Sequence, residues 1–367
     1  MNALPAEFLL ACWSLGLVFA AFLILFRAFG RLGTPTWARL GALAFLCFAP
    51  TYVGQETVDF RIWEGGLAVF LSSLFLDRLL ALKQSTELPM RRLALLSVLP
   101  ALLFFVSPPL GLAAYICALI FGLRSLRRPL LWRAGLISGC TLACLLLPWT
   151  IRNDLVLGEP VVLRSNSGLE LAVSNYPIAW EDPDHGRAFK ERLFTIHPAQ
   201  NMTAYRTMQS IGGELAYSQR LGGEARGWIA GHKREFLFLA IRHVRQIFVP
   251  EPWQYTTFGT GKFPILRAAL AGVVGLAGLL LALLLRRRDW IFPFMMIAVP
   301  ALTLAPFQPV PRYTYLFYPL LSYCAADLIS VLLRRWPVRF NSRHGPASMD
   351  QFSNRELPCD PGAACDK

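Results

Sequence analysis

The chain has 367 residues, 55% of them hydrophobic and only 16% charged, against about 25% charged in an average soluble domain. Its net charge of +13 does not point to nucleic acid, because the Lys and Arg sit in short clusters between uncharged runs. Eight cysteines without a CxxC spacing indicate neither a zinc site nor a disulfide framework, and Cys12, Cys47, Cys117, Cys140, Cys144 and Cys324 lie in or near apolar runs, where a thiol acts as a small hydrophobe.

The uncharged runs approach or reach the length that crosses about 30 Å of hydrocarbon. They predict an all-α polytopic membrane protein of about nine transmembrane helices, with one mixed, hydrophilic segment between the sixth and seventh. The first uncharged run, 8–26, within a span taken as 8–28, has Glu7 before it and Arg27 after it. A cleaved signal has its positive charge first, so a retained span with its N-terminus outside is expected. Arg27, Arg31 and Arg39 mark the first loop as inside, and a second span covers 37–53. The next loop, Gly54 to Arg61, carries Glu56 and Asp59 and falls outside. A third span, 62–82, returns the chain to the inside at Lys83, Arg91 and Arg92.

Residues 93–123 are too long for one span and slightly short for two. Ser107-Pro108-Pro109 divides them, since Pro lacks an N–H and cannot continue a preceding helix. Two short helices meeting at an outer turn are expected; a single Pro-kinked span is the alternative, and would invert everything downstream. Arg124, Arg127, Arg128 and Arg133 then precede a sixth span, 131–149, ending at Pro148-Trp149 where an interfacial Trp is at home.

Hydropathy stays low from there to about Phe263. Within this stretch Gly213 to Phe248 carries one helical pattern, with Trp228, Ile229, Phe236, Leu239, Ile241, Val244 and Phe248 separated by Arg, Lys and His. It predicts an amphipathic helix lying on the membrane. Spans seven to nine follow at 264–285, 290–306 and 313–333, with Arg286 to Arg288 inside and Phe307 to Arg312 outside. The tail from Trp336, which includes Cys359 and Cys365, is rich in Pro, Ser, Asn and Gly and is expected to be disordered. The chain thus divides into an N-terminal bundle (1–149), an outer segment (150–263), C-terminal transmembrane helices (264–335) and a tail (336–367).

No Walker loop, GxGxxG, HExxH or GxSxG is present. Three polar clusters fall at the outer face. Glu56, Asp59 and Glu64, with Arg61 among them, can hold a divalent cation or position and deprotonate an acceptor; a solvated acidic loop with Arg61 pairing locally is the plainer reading. Arg152 and Asn153, at the exit of the sixth span, precede Leu163 to Leu169 and Ser174 to Pro177. Arg there can bind a phosphate in bidentate fashion, or simply anchor the helix end. Arg312 and Tyr313, before the last span, admit the same two readings. His197, His232 and His243 lack metal-ligand spacing and read as structural; Glu214 and Glu224 read as solvated. A transporter would be expected to show repeats and polar or broken helices at midplane. No repeat is evident, and Asp77 and Asp327 fall near the inner ends of their spans.

Pro148-Trp149-Thr150-Ile151-Arg152-Asn153, Ser165-Asn166-Ser167-Gly168-Leu169 and Ser174-Asn175-Tyr176-Pro177 together resemble the PWTxRN, SNxGxN and GNxP series of bacterial GT-C membrane glycosyltransferases. These are the relatives of protein O-mannosyltransferases and the lipid A aminoarabinose transferase. Gly213-Glu214-Leu215-Ala216-Tyr217, with Glu224-Ala225, Trp228-Ile229 and His232, is similar to the family's GExAY and EAxxWIxxHPxxF stretch, with Lys233 in place of its Pro. Arg312-Tyr313 with Pro319 is similar to the family's entry into a late span. The resemblance is specific through 148–248 and hydropathic elsewhere.

What it implies is transfer of a sugar, with inversion, from a polyprenyl-phosphate carrier to a glycan, lipid or protein acceptor at the periplasmic face of a bacterial inner membrane. It implies that Glu56 and Asp59 serve catalysis or a divalent cation, and that Arg152 and Arg312 meet the donor phosphate. Arg61, Glu64, Asn153, Asn166, Asn175 and Tyr313 would line the site. The family's pattern begins one span earlier, with a loop that bears the residue regarded as its base; an upstream span is therefore expected, with Asp59 as base the alternative. Val106-Ser107-Pro108-Pro109 also departs from the Thr-Arg-Pro common in relatives. A catalytically degenerate relative, or a flippase, transporter or envelope-assembly factor, is the competing class.

Overall fold

The computed structural model describes residues 3–48, 65–85, 89–256, 262–310, 313 and 315–335. The described residues form helices, turns and irregular connections, with no strand among them. In chain order the apolar helices are α1 (Ala3–Arg31), α2 (Thr36–Cys47), α3 (Gly65–Lys83), α4 (Met90–Val106), α5 (Pro108–Ser125) and α6 (Arg128–Leu157). The intervening segment holds α7 (Ser167–Ser174), α8 (Pro177–Glu181), α9 (His185–Ile196), α10 (Met202–Ser210), α11 (Glu214–Gly231), α12 (Lys233–Phe248) and α13 (Pro252–Thr256). Three more apolar helices follow: α14 (Lys262–Leu284), α15 (Ile291–Leu304) and α16 (Tyr318–Arg335).

Among the described residues five helices are long and apolar enough to cross a membrane: Ala6–Arg31, Gly65–Lys83, Pro108–Ser125, Arg128–Leu157 and Ile265–Leu284. The chain is an all-α, membrane-associated protein. The other apolar helices are shorter or more polar; at 1.5 Å per residue the 12-residue α2 spans about 18 Å.

The Pro pair acts as its chemistry requires. Ser107 is extended (φ −142°, ψ 95°), Pro108 opens α5 where no N–H is needed, and α5 folds back along α4. Phe104 and Tyr115 meet edge to face across that hairpin, so one kinked span is ruled out. α6 differs from expectation. It continues through Pro148 to Leu157 and ends on Gly158, whose left-handed φ of 77° suits a helix C-terminus. The Pro148-to-Asn153 motif therefore lies on the helix and not beyond it.

Close packing in the C-terminal bundle depends on Gly275 and Gly278 of α14. A Cβ at either would strike the backbone of α16, at Leu321 and Cys324. Small residues at a three-residue interval let two apolar helices approach where no hydrophobic drive exists between them in lipid. Two buried carboxylates tie the basic ends of the helices together. Asp77 of α3 accepts two hydrogen bonds from Arg27 (2.9 and 2.7 Å) and one from Arg31 (3.1 Å). Asp327 of α16 is paired with Arg287 and accepts from the Thr34 hydroxyl at 2.7 Å. Unpaired, either carboxylate would be too costly to bury.

Candidate functional site

The segment 150–256 builds its own small core before it meets the bundle. α7 and α11 cross at Gly168, where a Cβ would collide with the Ser218 backbone. The Ser218 hydroxyl accepts from the free N–H groups of Gly168 and Leu169 (3.2 and 3.3 Å), which begin α7 and have no partner within it. Leu169, Ala172, Val173, Tyr217 and Leu221 close the contact, and the Tyr217 hydroxyl donates to the Ile196 carbonyl at 2.8 Å. Ser165 donates to Glu214, so two of the motif stretches meet here. The single amphipathic helix expected over 213–248 is instead two, broken at His232 (φ −131°, ψ 52°).

α12 then docks against the bundle through a polar face. Leu239, His243, Gln246 and Ile247 are buried together. Five side chains, of His243, Asn175, Ser174, Gln246 and Gln254, converge on the loop after α15. His243 Nδ1 lies 2.9 Å from the Ala305 carbonyl, and Asn175 donates to the Pro306 carbonyl at 2.8 Å and to Leu171 at 2.9 Å. Gln308 gives two hydrogen bonds to the same segment: its N–H to Ser174 Oγ (2.8 Å) and its amide to Gln246 (2.7 Å). Gln254 donates to the Pro309 carbonyl at 2.8 Å. This loop leads directly to Arg312 and Tyr313, and the Tyr313 N–H closes a turn on Val310 at 2.9 Å.

The electrostatics of the staple follow from burial. His243 is pushed down to about 4, first by burial and then by neighbouring Arg242, against the opposing pull of its bond to Ala305. It is therefore neutral at physiological pH. His185, 2.6 Å from Arg242, is also lowered, by burial and by that guanidinium. Burial would raise Glu251, but hydrogen bonds from Trp253, Gln246 and Arg245 outweigh it and hold the carboxyl below its usual range.

Among the expected site residues, Arg152 is exposed on the last turns of α6, stacked over Trp149 at 5.5 Å and donating to Asn153 at 2.9 Å. Asn153 is buried and spends its amide on the Val161 carbonyl (2.7 Å), while the Trp149 indole donates to Leu163 (3.2 Å). Both pin the turn that follows α6. Asn166 precedes α7 and reaches Glu170 at 3.5 Å. Asn175 sits at the centre of the staple and Tyr313 just past it. No hydrogen bond among the described residues joins Arg152, Asn166 and Asn175 to one another. Glu56, Asp59, Arg61, Glu64 and Arg312 lie outside the described residues, as does the tail from Trp336. Among the described residues no group of three or more His, Cys, Asp or Glu is placed to hold a metal ion.

No family model, curated protein or solved structure matches this chain. His185, Arg242, Gln246, Gln254 and Gln308 were not expected to matter. The available signal was His243 and Gln246 at helical spacing from Leu239, on the stripe that should have been apolar.

Proposed function

We propose that the chain is a GT-C-like glycosyltransferase of about nine transmembrane helices, set in a bacterial inner membrane with its N-terminus outside and its C-terminus in the cytoplasm. It moves a sugar from a polyprenyl-phosphate carrier to a cell-envelope acceptor at the outer face. The observation that carries the reading is the stapled loop. Asn175, His243, Gln246 and Gln254 hold 305–309, the described segment that precedes Arg312 in sequence. A fixed segment at that place supports the reading because electrostatic catalysis relies on groups positioned before a ligand arrives.

In this scheme, which takes the alternative of Asp59 as base, the acceptor hydroxyl gives its proton to Asp59 and its oxygen attacks the anomeric carbon opposite the phosphate. The sugar–phosphate C–O bond breaks as the new glycosidic bond forms, and the carrier phosphate leaves with the electron pair. Arg152 and Arg312 take up its charge. Glu56 assists Asp59, either toward the acceptor or in holding a divalent cation.

The test uses the protein in lipid vesicles with a panel of polyprenyl-phosphate sugars and reads release of free polyprenyl phosphate, the product common to every donor. Asp59→Asn is expected to abolish release while leaving membrane insertion intact. Unchanged release in Asp59→Asn removes Asp59 from the site. Retention of a donor without turnover by the wild type favours the degenerate reading over the enzyme.

A further inference from the structure

At the face opposite the outer segment, the ends of α3, α5 and α14 and the start of α15 enclose a cavity of about 560 Å³, within the range of about 300–1,000 Å³ typical of ligand pockets. Its rim is cationic: Lys83, Arg124, Arg286, Arg287 and Arg288 line it. Its wall is apolar, from Phe121, Leu283 and Phe292. Two of the cations are already satisfied, Lys83 by Asp289 and Arg287 by Asp327. Arg124, Arg286 and Arg288 have no carboxylate partner among the described residues, so the rim keeps a surplus of positive charge.

Arg286 adds an independent observation. It is the one non-glycine residue among those described with positive φ, at 56°. It occupies the left-handed position that closes α14, where the N–H of Arg287 returns to the Ala282 carbonyl at 3.0 Å. Glycine is the residue that fits this position without strain. An arginine is held there against its backbone preference, and its side chain lines the cavity.

We propose that this cavity binds the head group of an anionic membrane phospholipid. The phosphate meets Arg124, Arg286 and Arg288, and the acyl chains run down the apolar wall into the bilayer. A soluble anion would be served by the cationic rim alone; the apolar wall between helix ends is what a lipid needs. Basic pockets between transmembrane helices recognise lipid phosphates by this combination. The site is separate from the donor site, and neither reading depends on the other.

The purified protein is titrated in detergent with phosphatidylglycerol, with phosphatidylcholine and with inorganic phosphate, and bound lipid is counted by native mass spectrometry beside the thermal midpoint. Phosphatidylglycerol is expected to bind at least about tenfold more tightly than phosphatidylcholine, and each arginine removed is expected to weaken it about fivefold. Arg286→Gly is the decisive variant. Glycine relieves the left-handed position, so lipid-free stability should hold or rise while phosphatidylglycerol binding falls; Arg286→Lys should restore part of that binding. Arg124→Gln provides a second variant away from the strained residue. Equal binding of the two lipids, or unchanged phosphatidylglycerol binding in both Arg286→Gly and Arg124→Gln, overturns the proposal. So does saturation by inorganic phosphate without any preference for the lipid.

Discussion

Lowering the pH should loosen the staple that holds the 305–309 loop, and His243 sets the size of the effect. The ring is almost fully buried between α12 and the 305–310 loop. Its folded value of about 4 lies below the ordinary 6.5, so the native state favours the neutral ring. Between those values the unfolded chain takes up a proton that the folded chain refuses, and stability falls as pH drops through the window. At 1.36 kcal/mol per pH unit, the full gap amounts to about 3 kcal/mol, of which about 2 kcal/mol is lost by pH 5. The assay is the unfolding midpoint of the detergent-solubilised protein between about pH 7.5 and 4.5, beside His243→Asn. That amide can keep the hydrogen bond to Ala305 without titrating. Because His185 and the carboxylates titrate in both proteins, the difference between the two curves isolates His243. The wild type should lose more stability than the variant below about pH 6.5. Parallel curves would refute the argument.

Two further outcomes follow from the packing. Gly275→Val places a branched side chain against the Leu321 backbone and should cost about 3 kcal/mol, read as a lower thermal midpoint in detergent; an unchanged midpoint would mean that α14 and α16 do not touch there. Asn175→Ala removes the donors to Leu171 and Pro306 and should cost about 1–2 kcal/mol. In a transfer assay it should raise the KM for the donor, because the loop before Arg312 loses its anchor; an unaltered KM would separate the staple from donor binding.

The helical architecture is legible in the sequence where local chemistry dictates it. Ser107-Pro108-Pro109 marks a helical hairpin because Pro can start a helix but not continue one, and the hairpin is there. The end of α6 was misplaced because Pro148 looked terminal. Trp149 and Asn153 bind the carbonyls of Leu163 and Val161, which stabilises the extra turns beyond it. The break at His232 was hidden because the apolar stripes of α11 and α12 stay in phase across it. Lys233, standing where the resembling family has Pro, occupies the first helical position, the place where Pro is favoured.

The staple was the least legible part. His243, Gln246 and Asn175 find partners more than 60 residues away, and no local spacing encodes such pairs. Asn175 was singled out for its motif and not for the loop it holds. Gln308 attracted no notice, because a single Gln between Phe307 and Pro309 is unremarkable until its partners are known.

Under the proposed function the carrier phosphate meets Arg152 and Arg312. A photoreactive polyprenyl phosphate, crosslinked to the protein in vesicles and mapped by peptide mass spectrometry, tests it most directly. The account predicts label near Trp149 to Asn153 and near Pro311 to Tyr313, competed by unlabelled polyprenyl phosphate and lost in Arg312→Ala. Label confined to the opposite, basic face, or insensitive to that competitor, would contradict it.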